Sequence, residues 1–230
     1  MSEIFAIQAL PRPTVAVAGT TARFPVHRIY CVGRNYAEHA LEMGTPIERE
    51  APVFFMKPAD AVVADGAQVP YPPATSNLHH EVELVIALAQ GGRDIDPGQA
   101  RELVFGYAVG IDLTRRDLQA AAKAKSLPWD TAKGFDLSAP ISAIHRVAAV
   151  GHPASGPLTL AVNGQLRQST DIREMIFDVP SILHELSKLF ELRAGDLVFT
   201  GTPAGVAALV AGDRVSARFA DFATLDITIA

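Results

Sequence analysis

The chain has 230 residues, of which 49% are hydrophobic and 20% charged, with a formal net charge of -5. This is the profile of a folded globular protein with a sizeable core, in one large domain or two small ones, and it excludes a disordered chain. The mild acidity, without a basic stripe, argues against a nucleic-acid partner, and no run of about 18 apolar residues offers a membrane span. The opening MSEIFAIQAL lacks the basic-then-apolar pattern of a signal peptide. The single cysteine, Cys31, has no internal disulfide partner. A reducing cytoplasm is therefore the expected setting, with Cys31 a buried, inert thiol.

In chain order, residues 1–25 are expected to form a small sheet or appendage, ahead of a main domain over 26–230. RIYCVG (28–33) reads as a strand and runs into GRNYAEHALEMG (33–44). If 36–43 winds into a helix, His39 and Glu42 share a face, three residues apart. PVFFMK (52–57) and VELVIALA (82–89) are further apolar, β-rich strands. DPGQARELV predicts a helix with Asp96 as N-cap and Pro97 at the first helical position. YAVGIDL (107–113) is a strand, and TRRDLQAAAKAK a helix with Thr114 and Asp117 in a capping-box-like arrangement. LTLAVN (158–163) leads through Asn163–Gly164, a two-residue hairpin signal. DVPSILHELSKLF predicts a helix capped by Asp178, with Ile182, Leu183, Leu186, Leu189 and Phe190 on one face. DLVFTG (196–201), RVSARF (214–219) and TLDITI (224–229) complete the strands. Strands outnumber helices and do not alternate with them, which predicts a β-rich α+β fold over a doubly wound one.

Acids stand in apolar strands at three points. Glu81 and Glu83 open HHEVELVIAL and, two residues apart, point to one side. Asp112 closes YAVGID. Two neighbouring anions repel unless a cation sits between them. Three carboxylates without cysteine describe a hard-oxygen site for Mg²⁺, Mn²⁺ or Ca²⁺ rather than Zn²⁺. Solvated strand-end acids are the plain alternative, since exposed glutamate is common. His79 and His80 are adjacent and face opposite ways, so they read as surface residues or as supports behind the site. A histidine beside a carboxylate, as His39 and Glu42 would be, suits a general base, though an ordinary surface pair has the same spacing. Lys133 in PWDTAKGFD lies in apolar company and either snorkels to water or holds an anion. In FTGTPAGV, Gly201 lets backbone N–H groups approach a ligand, and a plain turn would look the same.

Eight segments, GRNYAEHALEMG, FFMKP, HHEVELV, GIDLTRRDLQ, LPWDTAKGFD, VNGQLRQ, MIFDVPSIL and VFTGTPAGV, occur in one order over roughly residues 28–206. Together they resemble the fumarylacetoacetate hydrolase family. The likeness is greatest to its short members acting on acylpyruvates, among them fumarylpyruvate hydrolases of aromatic-acid breakdown. The resemblance implies a mixed β-sheet roll or barrel with short peripheral helices, and a homodimer. It implies Glu81, Glu83 and Asp112 as ligands of Mg²⁺ or Mn²⁺, and His39 with Glu42 as a dyad on a lid segment. Lys133 and Gln119 would contact the keto-acid end of a small substrate, with Thr202 against the same ligand and Arg34 and Arg116 as further anion contacts. The implied activity is hydrolytic C–C cleavage of 2,4-diketo acids, foremost fumarylpyruvate to fumarate and pyruvate. Oxaloacetate decarboxylation, or isomerisation or tautomerisation of related dienoates, could use the same site. A non-catalytic module binding a metal and a dicarboxylate is the alternative of another class.

Overall fold

Two sheets carry the fold in the computed structural model, which describes residues 5–44 and 50–230. The first has six strands in the order His145–Arg146, Val104–Ile111, Val82–Leu88, Leu197–Phe199, Ile29–Gly33 and Val53–Lys57. Its neighbours are antiparallel except for the parallel pair Leu197–Phe199 and Ile29–Gly33. The second has five strands in the order Gln165–Asp171, Pro157–Val162, Arg214–Phe219, Ala223–Ile229 and Gln68–Val69. The Asn163–Gly164 hairpin forms as expected, with both residues at positive φ (52° and 78°), the backbone of a type I′ turn.

The six-stranded sheet is buried on both faces. Leu84, Ile86, Val109 and Ile111 pack toward Leu158, Leu160, Val215, Leu225 and Ile227 of the second sheet. On the opposite face, Cys31, Val85, Ala87, Ala108, Leu197 and Phe199 meet Val15, Val17, Phe24 and Val26. The latter four belong to, or flank, an antiparallel hairpin of Thr14–Ala16 and Arg23–Pro25, held to the sheet by Ala18 N–H to Ile144 O and Ile144 N–H to Ala16 O. Double-sided burial explains why VELVIALA, Glu83 apart, is apolar on both faces instead of alternating. Each fully buried large side chain contributes roughly 1.5–3 kcal/mol. Cys31 is fully buried, and burial holds its thiol well above its ordinary range, so it is inert.

The eight strands read from the sequence all form, with ends shifted by a few residues. Asp178 caps the helix Val179–Leu189 by accepting from Ser181 N–H at 3.0 Å. Two helix expectations are corrected. DPGQARELV makes only a turn and a short 3-10 segment, Ala100–Leu103. Asp96 caps Gly98 N–H at 2.7 Å, but the Leu103 carbonyl is taken by Ala89 N–H, and Val104 is drawn into the sheet. The helix after Asp112 spans Arg116–Ala124 without a capping box. Thr114 instead turns inward, fully buried, and Asp117 bonds the segment at Thr75 and Ser76.

Gly110 lies directly across from Glu83 in the central pair of strands. A Cβ there would fall 2.5 Å from the Phe199 ring and 2.7 Å from Val85. Gly110→Ala is therefore expected to cost about 1–3 kcal/mol of stability by overpacking. A urea midpoint equal to that of the unchanged protein would refute this packing account.

Candidate active site

The two-residue repeat places Glu81 and Glu83 on the Val85–Ala87 face of the six-stranded sheet, at the end of its apolar run. Asp112 follows the neighbouring strand and is locked beside Glu81 by a 2.8 Å bond from its N–H to the Glu81 carbonyl. All three carboxylates are buried, and each offers an oxygen within 4.8 Å of the others.

Three buried cations answer them. Lys57 Nζ lies 2.8 Å from Asp112 Oδ1. Lys133 Nζ bridges Glu81 Oε2 at 2.7 Å, Asp112 Oδ2 at 2.6 Å and the Thr114 hydroxyl at 2.7 Å. The Arg116 guanidinium donates to Glu81 Oε1. Glu83 faces no cation at ion-pair distance among the described residues and accepts from Gly201 N–H at 2.7 Å. The outcomes for the two glutamates differ. Burial would raise the Glu81 carboxyl, but Lys133 and Arg116 outweigh it and hold it well below the usual range. Burial, with Asp112 and Glu81 nearby, pushes Glu83 well above that range. Burial also works against the Lys133 ammonium, and Asp112 and Glu81 more than offset it.

The short helix Ala37–Glu42 brings His39 to the same cavity. His39 Nδ1 lies 3.2 Å from Glu42 Oε2. A carboxylate at Nδ1 assigns the proton there and leaves Nε2 with its lone pair. Glu42 also accepts from Gly205 N–H, at 3.1 and 3.2 Å, which ties this helix to the TGTPAG turn. Burial lowers the His39 pKa below the ordinary imidazole value, against partial opposition from Glu81 and Glu42.

The ten residues singled out in the sequence converge. Arg34, His39, Glu81, Glu83, Arg116, Gln119, Lys133 and Thr202 line one cavity, Glu42 backs His39, and Asp112 lies behind Lys133. Of the two readings given to the paired histidines, His80 takes that of a support behind the site. It is fully buried, with Nδ1 at 2.9 Å from Gln168 Oε1, while His79 sits 3.4 Å from Arg116 Nε. Sequence reasoning missed Lys57, Asn35, Thr114 and Gln168. Gln168 uses its whole amide, accepting from Val82 N–H and donating to Thr202 Oγ1 and Pro203 O. Asn35 donates to Thr200 O at 2.7 Å and Phe177 O at 3.0 Å. The signal for Lys57 was on the page: a lysine at the end of an apolar strand, just before proline.

The donor set fits a hard divalent cation. It is all oxygen, it is buried, and Asp112 Oδ1 has no hydrogen bond, only its ionic contact with Lys57.

The family model described as fumarylacetoacetate (FAA) hydrolase C-terminal matches residues 28–230. The chain belongs to the fumarylacetoacetate hydrolase family. Within that family it is similar to the fumarylpyruvate hydrolase of Pseudomonas aeruginosa, whose crystal structure is a complex with Mn²⁺ and pyruvate. The two are 47% identical over 100% of this chain and 99% of the other, with a TM-score of 0.94. A fumarylpyruvate hydrolase of Ralstonia sp is 42% identical over 189 residues, 81% of this chain and 98% of the relative. The mitochondrial oxaloacetate tautomerase FAHD1 of Arabidopsis thaliana is 42% identical over 190 residues, 83% of this chain and 85% of the relative.

Lys57→Met removes one charge from a buried set and keeps most of the side-chain volume. Breaking a buried pair costs about 3–5 kcal/mol. The variant should unfold at a clearly lower urea concentration at pH 7; an unshifted transition would mean that Lys57 does not hold Asp112.

Proposed function

We propose that this protein is a metal-dependent hydrolase of acylpyruvates, cleaving fumarylpyruvate to fumarate and pyruvate. The observation that carries the reading is a buried carboxylate trio lying in one cavity with the His39–Glu42 pair. Glu81, Glu83 and Asp112 would hold Mg²⁺ or Mn²⁺. The bound cation supplies Lewis-acid stabilisation of negative charge on a 2-oxo acid. Lys57, Lys133 and Arg116 equal the three carboxylates in number but pair only with Asp112 and Glu81, which leaves Glu83 as the open oxygen donor.

Lys133 and Arg116 supply positive charge at the keto-acid end, and Gln119 and Thr202 supply polar groups that orient it. His39, neutral near pH 7 because burial lowers its pKa, takes a proton from water at Nε2. The water oxygen bonds to the distal carbonyl carbon. The tetrahedral species collapses by breaking the C–C bond, whose electron pair goes to the pyruvate carbon that is then protonated. Glu42 holds the imidazole in the required tautomer and favours the imidazolium that forms.

The similarity to an oxaloacetate tautomerase favours a second reading. Tautomerisation moves one substrate proton and needs no activated water, so His39 would act on carbon or enol oxygen instead. One experiment separates them: pyruvate release from fumarylpyruvate and acetylpyruvate with Mn²⁺ and after EDTA, beside enol-to-keto conversion of oxaloacetate. Metal-dependent pyruvate release is expected, with His39→Ala and Glu42→Gln slower by roughly 10²–10⁴-fold. Because the working form of His39 is neutral and its pKa is lowered, the rate should hold as pH falls through about 6.5 and drop only below it. Glu42 raises the His39 pKa, so Glu42→Gln should move that acid limb further down. Conversion of oxaloacetate alone, without pyruvate from either acylpyruvate, would favour the tautomerase.

We infer a homodimer, in the cytoplasm given the lone buried Cys31. Val53–Lys57 is an outer strand of the six-stranded sheet, and Met56 within it and Leu127 across an apolar groove are exposed. Exposed apolar edges of this kind are usually covered. Light scattering on the eluted protein should give twice the 24.5 kDa chain mass, and a monomer mass would refute the dimer.

A further inference from the structure

The helix Arg116–Ala124 turns one face to the cavity. Arg116, Gln119 and Lys123 follow the i, i+3, i+7 repeat of that face, and all three line it. Arg116 is anchored at the carboxylates through Glu81 and donates to Gln119 Oε1 at 2.5 Å. Lys123 lies seven residues on, about 10 Å further along the axis.

The cations of this cavity are not equivalent. Lys57, Lys133 and Arg116 each meet a carboxylate at ion-pair distance. Lys123 meets none among the described residues, and its Nζ stands 5.4 Å over the Trp129 ring. The charges that act on it most are of like sign. Burial disfavours its ammonium form, and Arg116 and Arg34 disfavour it further. Arg34 lines the same cavity in left-handed backbone (φ 62°), and its Nε is buried with no hydrogen-bond partner among the described residues. A half-buried, unpaired ammonium beside other cations carries a desolvation and repulsion cost that an incoming anion would relieve. Phe55, Trp129 and Val32 give the cavity apolar walls suited to carbon chain.

We propose that Lys123 binds a second carboxylate at the far end of the acyl chain, so that the site selects acylpyruvates ending in an acid over those ending in a methyl group. The inference rests on the acylpyruvate reading for the identity of the near end. It accounts for how a site built around a 2-oxo acid distinguishes fumarylpyruvate from acetylpyruvate: a charge-assisted bond at the distal end, reached across an apolar wall.

The test uses ligands that cannot be cleaved, so it does not depend on turnover. Binding of 2-oxoheptanedioate and of 2-oxoheptanoate to the Mn²⁺-loaded protein is measured by titration calorimetry. The dioate should bind more tightly to the unchanged protein. Lys123→Met should shrink that preference roughly 10- to 100-fold, the loss of one charge-assisted hydrogen bond, while Lys123→Arg retains it. The ratio of kcat/KM for fumarylpyruvate over acetylpyruvate should fall in parallel. Equal binding of the two acids by the unchanged protein, or a preference that survives Lys123→Met, overturns the proposal and leaves Lys123 as a lysine that packs on Trp129 and reaches to solvent. A dioate preference lost in Lys123→Met, in a protein that releases no pyruvate from either acylpyruvate, upholds the role of Lys123 and removes the hydrolase reading alone.

Discussion

Three buried carboxylates within 4.8 Å of one another must be held against their own repulsion. At an effective dielectric of about 20, each ionised pair at that distance repels by roughly 3–4 kcal/mol. The rest of the site follows from how that cost is met. Lys57 arrives from an outer strand, Lys133 from the segment after Trp129, and Arg116 from the helix that begins four residues past Asp112. Lys57 and Arg116 each fix one carboxylate oxygen in place and Lys133 fixes two, so neutralisation and orientation are the same contact. Glu83 is the exception, steadied among the described residues by the Gly201 N–H alone. Its carboxyl is therefore the one most sensitive to the arrival of a further positive charge, and the one through which a cation would gain most.

The part of this design that repeats locally was legible in the sequence. Two acids at a spacing of two must share a strand face, and His39 and Glu42 at a spacing of three must share a helix face; both contacts are present. The eight main strands were legible for the same reason. What escaped detection was long-range. Gln168 lies 86 residues from Val82, whose N–H it accepts, and Lys57 lies 76 residues from the Lys133 carbonyl it bonds. Nothing in the local pattern of either residue records such a partner. The failed helix at DPGQARELV has the same origin. Its cap signal is real and Asp96 does cap a turn, but the sheet claims the backbone a few residues later. Thr114, read as a cap, was likewise taken by a tertiary partner, Lys133.

The site divides into a stiff part and a weakly held part. The carboxylates sit at the ends of central sheet strands, and Lys57 and Lys133, from an outer strand and the short helix Asp130–Lys133, are locked to them by buried ion pairs. His39 instead rides on a helix of six residues with no side-chain cap, too short to be stable alone. Its tertiary ties include the Tyr36 bridge to Met175, and Glu42, whose carboxylate accepts from Gly205 while bonding His39. Glu42 thus orients the His39 imidazole and docks its helix at once. If the helix lifts from the TGTPAG turn, the imidazole loses its orientation; when it docks, the tautomer and the position of Nε2 are set together. The Gln168 amide fixes the other side of the same turn. It donates to Thr202 Oγ1, so the hydroxyl proton of Thr202 must point elsewhere. His39 and Thr202 are therefore organised from opposite sides of one short turn, and movement of that turn would disturb both.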